Sequence, residues 1–217
     1  SDYDNMFAAF NRANIRDLTV GLESGSERVR KEILKRYYSN EDMITMVKAA
    51  RKHGLAIAFQ NMIGLPGETE EEFMETVKMN RICQPDKYML SIFYPYPGTE
   101  LAHVCEEMGL LDGGIDDRME RMITTLEIPS FPSKRIKHRC AMFHYDVYKG
   151  KKPFYNYLPR LLRDKMLYDN PILYNHVRKL PIISTLRNKI TTFRGWKKNL
   201  HGVEEQVFSD RGVELSS

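Results

Sequence analysis

Along the first hundred or so residues, short β-prone runs alternate with stretches whose apolar residues recur at helical spacing. Residues 18–23 (LTVGLE) form the first such run, and Ser24-Gly25-Ser26-Glu27 after it predicts a capping box that opens a helix over about 26–36. Ser39-Asn40-Glu41-Asp42 starts a second helix, with Met43, Met46, Val47 and Ala50 at helical spacing and Gly54 just past its end. Residues 55–63 (LAIAFQNMI) are apolar on both faces until their end, the pattern expected of a parallel strand covered on both sides. Pro66 lacks a backbone donor and stands between Gly64 and Gly67, which predicts a turn. Thr69 with Glu72 makes a further capping box for a helix to about Cys83, and residues 87–93 read as a third strand. Thr99 caps a helix through about Met108. Three β-turn-α units in series predict parallel strands joined by crossovers.

Beyond Gly109 the pattern changes. Residues 112–117 are loop-like, 116–127 suit a short helix, and Pro129 and Pro132 mark a boundary, after which basic and aromatic residues interleave. The expected organisation is an α/β segment over 1–111 and a mainly helical, basic extension over 112–217. Of 217 residues 42% are apolar and 29% charged, which excludes a wholly disordered chain. There is no apolar run long enough to span a membrane, and Ser1-Asp2-Tyr3-Asp4-Asn5 has neither the basic start nor the apolar segment of a signal peptide. Cys83, Cys105 and Cys140 form neither an even disulfide framework nor a metal-ligand spacing, so they are expected to be buried, inert thiols in a reducing cytoplasm. The six histidines show no mutual ligand spacing and read as non-ligands. Net charge is only +4, yet residues 133–200 hold 17 Lys or Arg against 3 Asp or Glu, leaving the remainder at −10. That asymmetry predicts regions with different partners.

In a parallel α/β sheet or barrel, ligands bind beyond the carboxyl ends of the strands. Polar and glycine-rich residues cluster there three times, at Glu23-Ser24-Gly25-Ser26, at Gln60-Asn61 through Gly67-Glu68-Thr69, and at residues 93–99 (FYPYPGT). A carboxylate at the end of an apolar strand suits ribose hydroxyls or an ammonium group, and glycines let backbone amides approach a ligand. Taken singly, each cluster is also ordinary turn chemistry.

Residues 20–27 (VGLESGSE), 61–69 (NMIGLPGET) and 93–101 (FYPYPGTEL) resemble, in order, signatures of the radical S-adenosylmethionine enzymes, most closely the group with an N-terminal cobalamin-binding domain. The resemblance covers about residues 10–111. It implies the second half of a six-stranded partial TIM-type barrel, in a protein whose [4Fe-4S] cluster cleaves S-adenosylmethionine to a 5′-deoxyadenosyl radical. Methyl transfer or oxidative ring formation would follow, with cobalamin as a further cofactor. By the same resemblance, Glu23 and Ser24 hold the ribose and methionyl parts of S-adenosylmethionine, and Gln60 acts likewise, with Asn61 its neighbour on the other face. Ile63 and Leu65 match the apolar wall beside the adenine, and Phe93 and Tyr94 the sixth-strand contacts near it. The family's C-x3-C-x2-C cluster loop and the cobalamin D-x-H-x-x-G are absent from these 217 residues. The chain is therefore expected to be inactive without a missing N-terminal half of the same protein, and to expose the outer edge of its first strand to self-association or to cover by residues 3–14.

The substrate is expected to be a small-molecule or lipid-like compound. For the basic segment 133–200 three readings stand: a solvated face, an anionic membrane surface met peripherally through aromatics such as Phe154, Tyr155 and Trp196 beside lysines, and nucleic acid, which ranks behind the membrane. The rival to an enzyme is a scaffold or binding module that docks through this tail.

Overall fold

The computed structural model describes residues 2–111, 126–151, 153, 155 and 158–169, and three strands alternate with helices in it. The order is α1 (Asp2–Arg12), β1 (Asp17–Glu23), a π-helical segment (Val29–Ile33), α2 (Asn40–Lys52), β2 (Ala56–Ile63), α3 (Glu70–Cys83), β3 (Lys87–Ile92), α4 (Glu100–Glu107), α5 (Ser133–Tyr148) and α6 (Leu158–Asp169). The strands lie side by side as β1-β2-β3, all parallel, with Gly21 opposite Gln60 and Gln60 opposite Met89. This is an open α/β sheet consistent with part of a TIM-type barrel. The expected helix over 116–127 and the basic stretch past Asp169 fall outside the described residues, apart from residues 126 and 127.

Capping chemistry sets the helix starts. Ser39 Oγ accepts the amide of Asp42 while the Asp42 carboxylate accepts that of Ser39, and Thr69 and Glu72 repeat the exchange at α3. Gly54 and Gly98 carry the positive φ that their turns require. The first expected capping box does not form. Ser24 Oγ instead accepts the amide of Ser26, Ser26 Oγ accepts that of Val29, and Glu27 reaches across to the amide of Asn40 at 2.7 Å. The helix predicted over 26–36 is correspondingly short, and its centre is the π-helical segment.

Helices cover one face of the sheet. Ile57, Phe59 and Ile63 of β2 are buried against it, whereas Ala58 and Met62 are partly exposed and Gln60 is exposed. The expectation of a strand covered on both sides is thus corrected, because the second face carries the exposed Gln60 and opens on the cavity that Gln60 and Met62 line. Phe7, Leu22, Met43, Met46, Val47, Ile57 and Phe59 make one core cluster. A second joins Ile63, Leu65, Phe73, Val77, Ile92 and Phe93 to Ile128, Phe131, Ile136, Cys140 and Phe143, so the core continues past residue 111 into α5, and the compact unit runs to Tyr168. Helix α1 packs on α2, where Asn11 donates to the His53 carbonyl at 2.7 Å, and its Phe7 shares a core cluster with Leu22 of β1.

Two turns at the carboxyl ends of the strands are bolted down from beneath. At Gly25 the chain approaches α3 so closely that a Cβ would overlap the Glu75 carbonyl and the Thr76 amide, and the Gly25 amide donates to Thr76 Oγ1 at 2.7 Å. At the turn after β2, Glu68 is fully buried, and its Oε2 accepts the amides of Gly64 at 2.7 Å and Leu65 at 3.3 Å while Oε1 has no partner. Burial pushes this carboxyl up to about 8, against the two amide bonds that favour its ionised form.

Gly25→Ala should therefore cost about 1–3 kcal/mol in urea denaturation, because the clash is with backbone that cannot step aside. An unchanged midpoint would mean that the α3 contact is loose. For Glu68 the folded state binds the proton more tightly than the unfolded chain, whose glutamate titrates near 4.5. Stability should fall as pH rises from about 4.5 to about 8, by on the order of a few kcal/mol. Glu68→Gln should flatten that slope when the two proteins are compared across the range.

Candidate functional site

The carboxyl ends of the three strands enclose a half-open cavity of about 460 Å³. Alternation along the strands decides what enters it. Gln60 and Met62 face it from β2, and their register partners Met89 and Ser91 face it from β3. Glu23 supplies the carboxylate at the end of β1. Past β3 the chain turns through Phe93, Tyr94, Tyr96 and Thr99 and enters α4 at Glu100 and Leu101, which close the far side. Glu23 and Gln60 make the β1–β2 side of the cavity polar, and toward β3 and α4 the aromatic rings of Phe93, Tyr94 and Tyr96 stand with Ser91, Thr99 and Glu100.

Glu23 takes its position from an irregular backbone. The ladder between β1 and β2 shifts register between Gly21 and Glu23, and Glu23 stands at φ +57, a left-handed conformation rare for a residue with a side chain. Tyr38 donates its hydroxyl to the carbonyls of Gly21 at 2.8 Å and Leu22 at 3.1 Å, holding the bulge from behind. The Glu23 carboxylate folds back over Gly21, where a Cβ would lie 2.5 Å from Oε1. Burial raises the pKa of Glu23, and the Arg36 guanidinium at 3.7 Å opposes the rise.

Of the residues expected at the site, Glu23, Gln60, Asn61, Phe93 and Tyr94 come together around the cavity. The other three do not. Ser24 is fully buried in its turn, with Oγ 3.5 Å from Thr76 Oγ1. Ile63 and Leu65 are fully buried in the core between sheet and helices. Ile63 shares the helix-side parity of Ile57 and Phe59, and Leu65 follows the positive-φ Gly64 into the core. The Asn61 side chain is likewise engaged behind the sheet, accepting from Asn80 at 2.8 Å and donating to the Met89 carbonyl at 3.0 Å. The residues missed from sequence were Met62, Met89, Ser91, Ile92, Glu100 and Leu101, whereas Tyr96 and Thr99 stood in the 93–99 cluster without being given a role. Parity with Gln60 would have found Met62, and pairing the strands would have added Met89 and Ser91.

The donor set fits one end of S-adenosylmethionine: a half-buried carboxylate and an exposed amide at the mouth of β1 and β2 suit hydroxyl and ammonium donors. It does not fit an iron-sulfur cluster. Cys83, Cys105 and Cys140 are all buried in the cores, and burial pushes each thiol above its ordinary value, Cys105 to about 11. Among the described residues no group of three His, Cys, Asp or Glu is placed to hold a metal ion. No described helix is long and apolar enough to cross a membrane.

The sequence is similar to those of known proteins. Residues 1–79 match the radical SAM superfamily. The chain is 25% identical over 191 residues to the tRNA-2-methylthio-N(6)-dimethylallyladenosine synthase of Fusobacterium nucleatum, an alignment covering 86% of this chain and 37% of the relative. The enzyme of the same name from Chromobacterium violaceum is 33% identical over 92 residues, 42% of this chain and 20% of its own. An uncharacterized methyltransferase of Pyrococcus horikoshii is 37% identical over 81 residues, covering 37% and 17%. The chain thus spans well under half the length of these relatives, and the comparisons support the radical S-adenosylmethionine reading while being silent on cobalamin. The segment that carries β1, β2 and most of α3 is thus the part of the chain that matches the radical SAM superfamily.

Proposed function

We propose that the cavity is the S-adenosylmethionine-facing wall of an enzyme that transfers a methyl or methylthio group to an unactivated carbon of a nucleic-acid substrate. The observation that carries the cofactor half of this reading is the carboxylate of Glu23, held in a strained left-handed conformation and folded over a glycine at the cavity's polar end. Strain of that kind persists where surrounding structure enforces it, and it concentrates at ligand sites. Glu23 and Gln60 would orient the hydroxyl and ammonium groups, Phe93 and Tyr94 would pack beside the adenine, and the apolar wall of Met62, Met89 and Leu101 would exclude water. S-adenosylmethionine, when bound, supplies the radical chemistry of the superfamily. The nucleic-acid half rests on the relatives, two of which are named for a product in tRNA. It displaces the lipid-like substrate and the membrane surface expected from the sequence, because those relatives are named for an RNA and not for a lipid. A cobalamin requirement is a separate proposition, tested by whether added cobalamin changes turnover of the intact protein.

Glu23→Gln and Gln60→Ala should each weaken binding of S-adenosylhomocysteine by roughly tenfold or more, the loss of about 1.5–3 kcal/mol expected for a charged hydrogen-bond partner being the upper range. Gly21→Ala should weaken it similarly by displacing the carboxylate, with little change in stability because the displaced atom is the end of a flexible side chain. Calorimetry on the intact protein reads all three. Affinity unchanged in every variant would remove this end of the cavity from cofactor binding.

A further inference from the structure

Beside the polar end of the cavity runs a short strap, residues 31–37, whose chemistry the cofactor reading does not use. Its side chains divide cleanly. Ile33 and Leu34 pack against the core, whereas Lys31, Lys35, Arg36 and Tyr37 are exposed, Tyr37 at 76% of its surface. The nearby arginines are otherwise engaged. Arg28 is bound to Glu72 at 2.5 Å and to Glu32 at 3.2 Å, and Arg30 is fully buried. Among the described residues no carboxylate pairs with Lys31 or Lys35.

The strap is held rigid despite its exposure. The Arg36 amide donates to the Arg30 carbonyl at 2.8 Å, and Lys35 is fixed at φ +53. On the other side of Tyr37, the Tyr38 carbonyl accepts from Arg30 and the Tyr38 hydroxyl binds the bulge of β1. Arg36 reaches Glu23, a wall residue of the cavity, at 3.7 Å, and Tyr37 follows Arg36 in the chain. An aromatic ring this exposed, with hydrogen-bonded residues on both sides and on a segment that also carries the exposed Lys31 and Lys35, offers a stacking platform with phosphate ligands on the same strap.

We propose that residues 31–37 are a contact surface for a single-stranded RNA segment, with Tyr37 stacking one base and Lys31 and Lys35 meeting flanking phosphates, which delivers the neighbouring nucleotide to the cavity. This rests on the reading of the substrate as nucleic acid. A lipid surface shares the phosphate chemistry but fits less well. Membrane contact of this sort needs several apolar side chains on one outward face, and here the outward face holds one ring while Ile33 and Leu34 turn inward.

The test uses the whole chain and an RNA hairpin with an unpaired loop, a blunt duplex of the same stem serving as the control. Ultraviolet crosslinking with peptide mapping should place an adduct on Tyr37 from the hairpin and none from the duplex. Tyr37→Ala should lower hairpin affinity about tenfold while Tyr37→Phe keeps it, as stacking requires. Lys31→Gln and Lys35→Gln should each reduce the salt-dependence slope by about 0.7. All three positions are exposed, so the variants should fold. Adducts confined to residues beyond Asp169, with hairpin affinity unaltered in every variant, would overturn the proposal in favour of the basic tail alone. Binding of anionic vesicles that needs Tyr37, with no hairpin adduct, would overturn it in favour of lipid. S-adenosylhomocysteine binding in the Tyr37 variants keeps the two readings apart. No Tyr37 adduct in the unaltered chain, with its cofactor affinity intact, sinks only the strap, and a Tyr37 adduct in a protein that binds no cofactor sinks only the cofactor site.

Discussion

The guanidinium of Arg30 is buried completely, and the arrangement of the site descends from it. A buried charge must be surrounded by acceptors, and Arg30 finds the Ser24 carbonyl at 2.5 Å, the Tyr38 carbonyl at 3.2 Å and the Asn40 side chain at 2.9 Å, with the Tyr38 ring stacked 4.9 Å away. One side chain thereby joins the turn after β1 to the start of α2. Tyr38, pinned in this way, is what holds the carbonyls of Gly21 and Leu22, and that grip supports the bulge that carries Glu23. The same anchor sets the strap 31–37 beside the cavity. Removing one partner of such a cluster leaves a desolvated charge unpaired, a far larger loss than a single hydrogen bond.

Behind the sheet, a second set of polar contacts does comparable service for β2. Asn80 of α3 bonds Asn61, Glu68 gathers two amides of the following turn, and Ser130 donates to the Glu68 carbonyl at 3.0 Å. Glu70 at the start of α3 is clasped by Arg135 and Arg139 of α5, which lowers its pKa despite partial burial. Helix α5 is therefore tied to the α/β units by ion pairs as well as by the shared apolar core. A basic helix here spends part of its charge internally, so the excess of Lys and Arg counted along the chain overstates what is presented to a partner.

Much of the frame was legible because its signals are local. Ser39 with Asp42 and Thr69 with Glu72 announce helix starts within four residues, and Pro66 between two glycines can only be a turn. The Ser24–Glu27 pattern misled because a tertiary partner, Asn40, outbid the local exchange. The cavity was legible at Glu23, Gln60, Phe93 and Tyr94, which stand at strand ends in recognisable runs. Its remaining wall was not, because Met89, Ser91 and Leu101 look like core residues until the pairing of β2 with β3 decides which parity faces inward. Ile63 and Leu65 went astray for the same reason: proximity to a motif says nothing about which side of the sheet a residue takes.

The shifted register at the end of β1 has a consequence for how the chain can change over time. Opposite Gln60 stands Gly21, yet opposite Asn61 stands Glu23, so Leu22 is the surplus residue. Losing one residue there would restore a regular ladder, and every position after it would change faces. The carboxylate would turn toward the apolar core while a turn built for Gly25 slid past α3. Point substitutions of similar size remain open to this strand, but changes of length do not. Among descendants of this sequence that keep the cavity, drift should accumulate in side chains, and the spacing from Gly21 to Gly25 should stay at four.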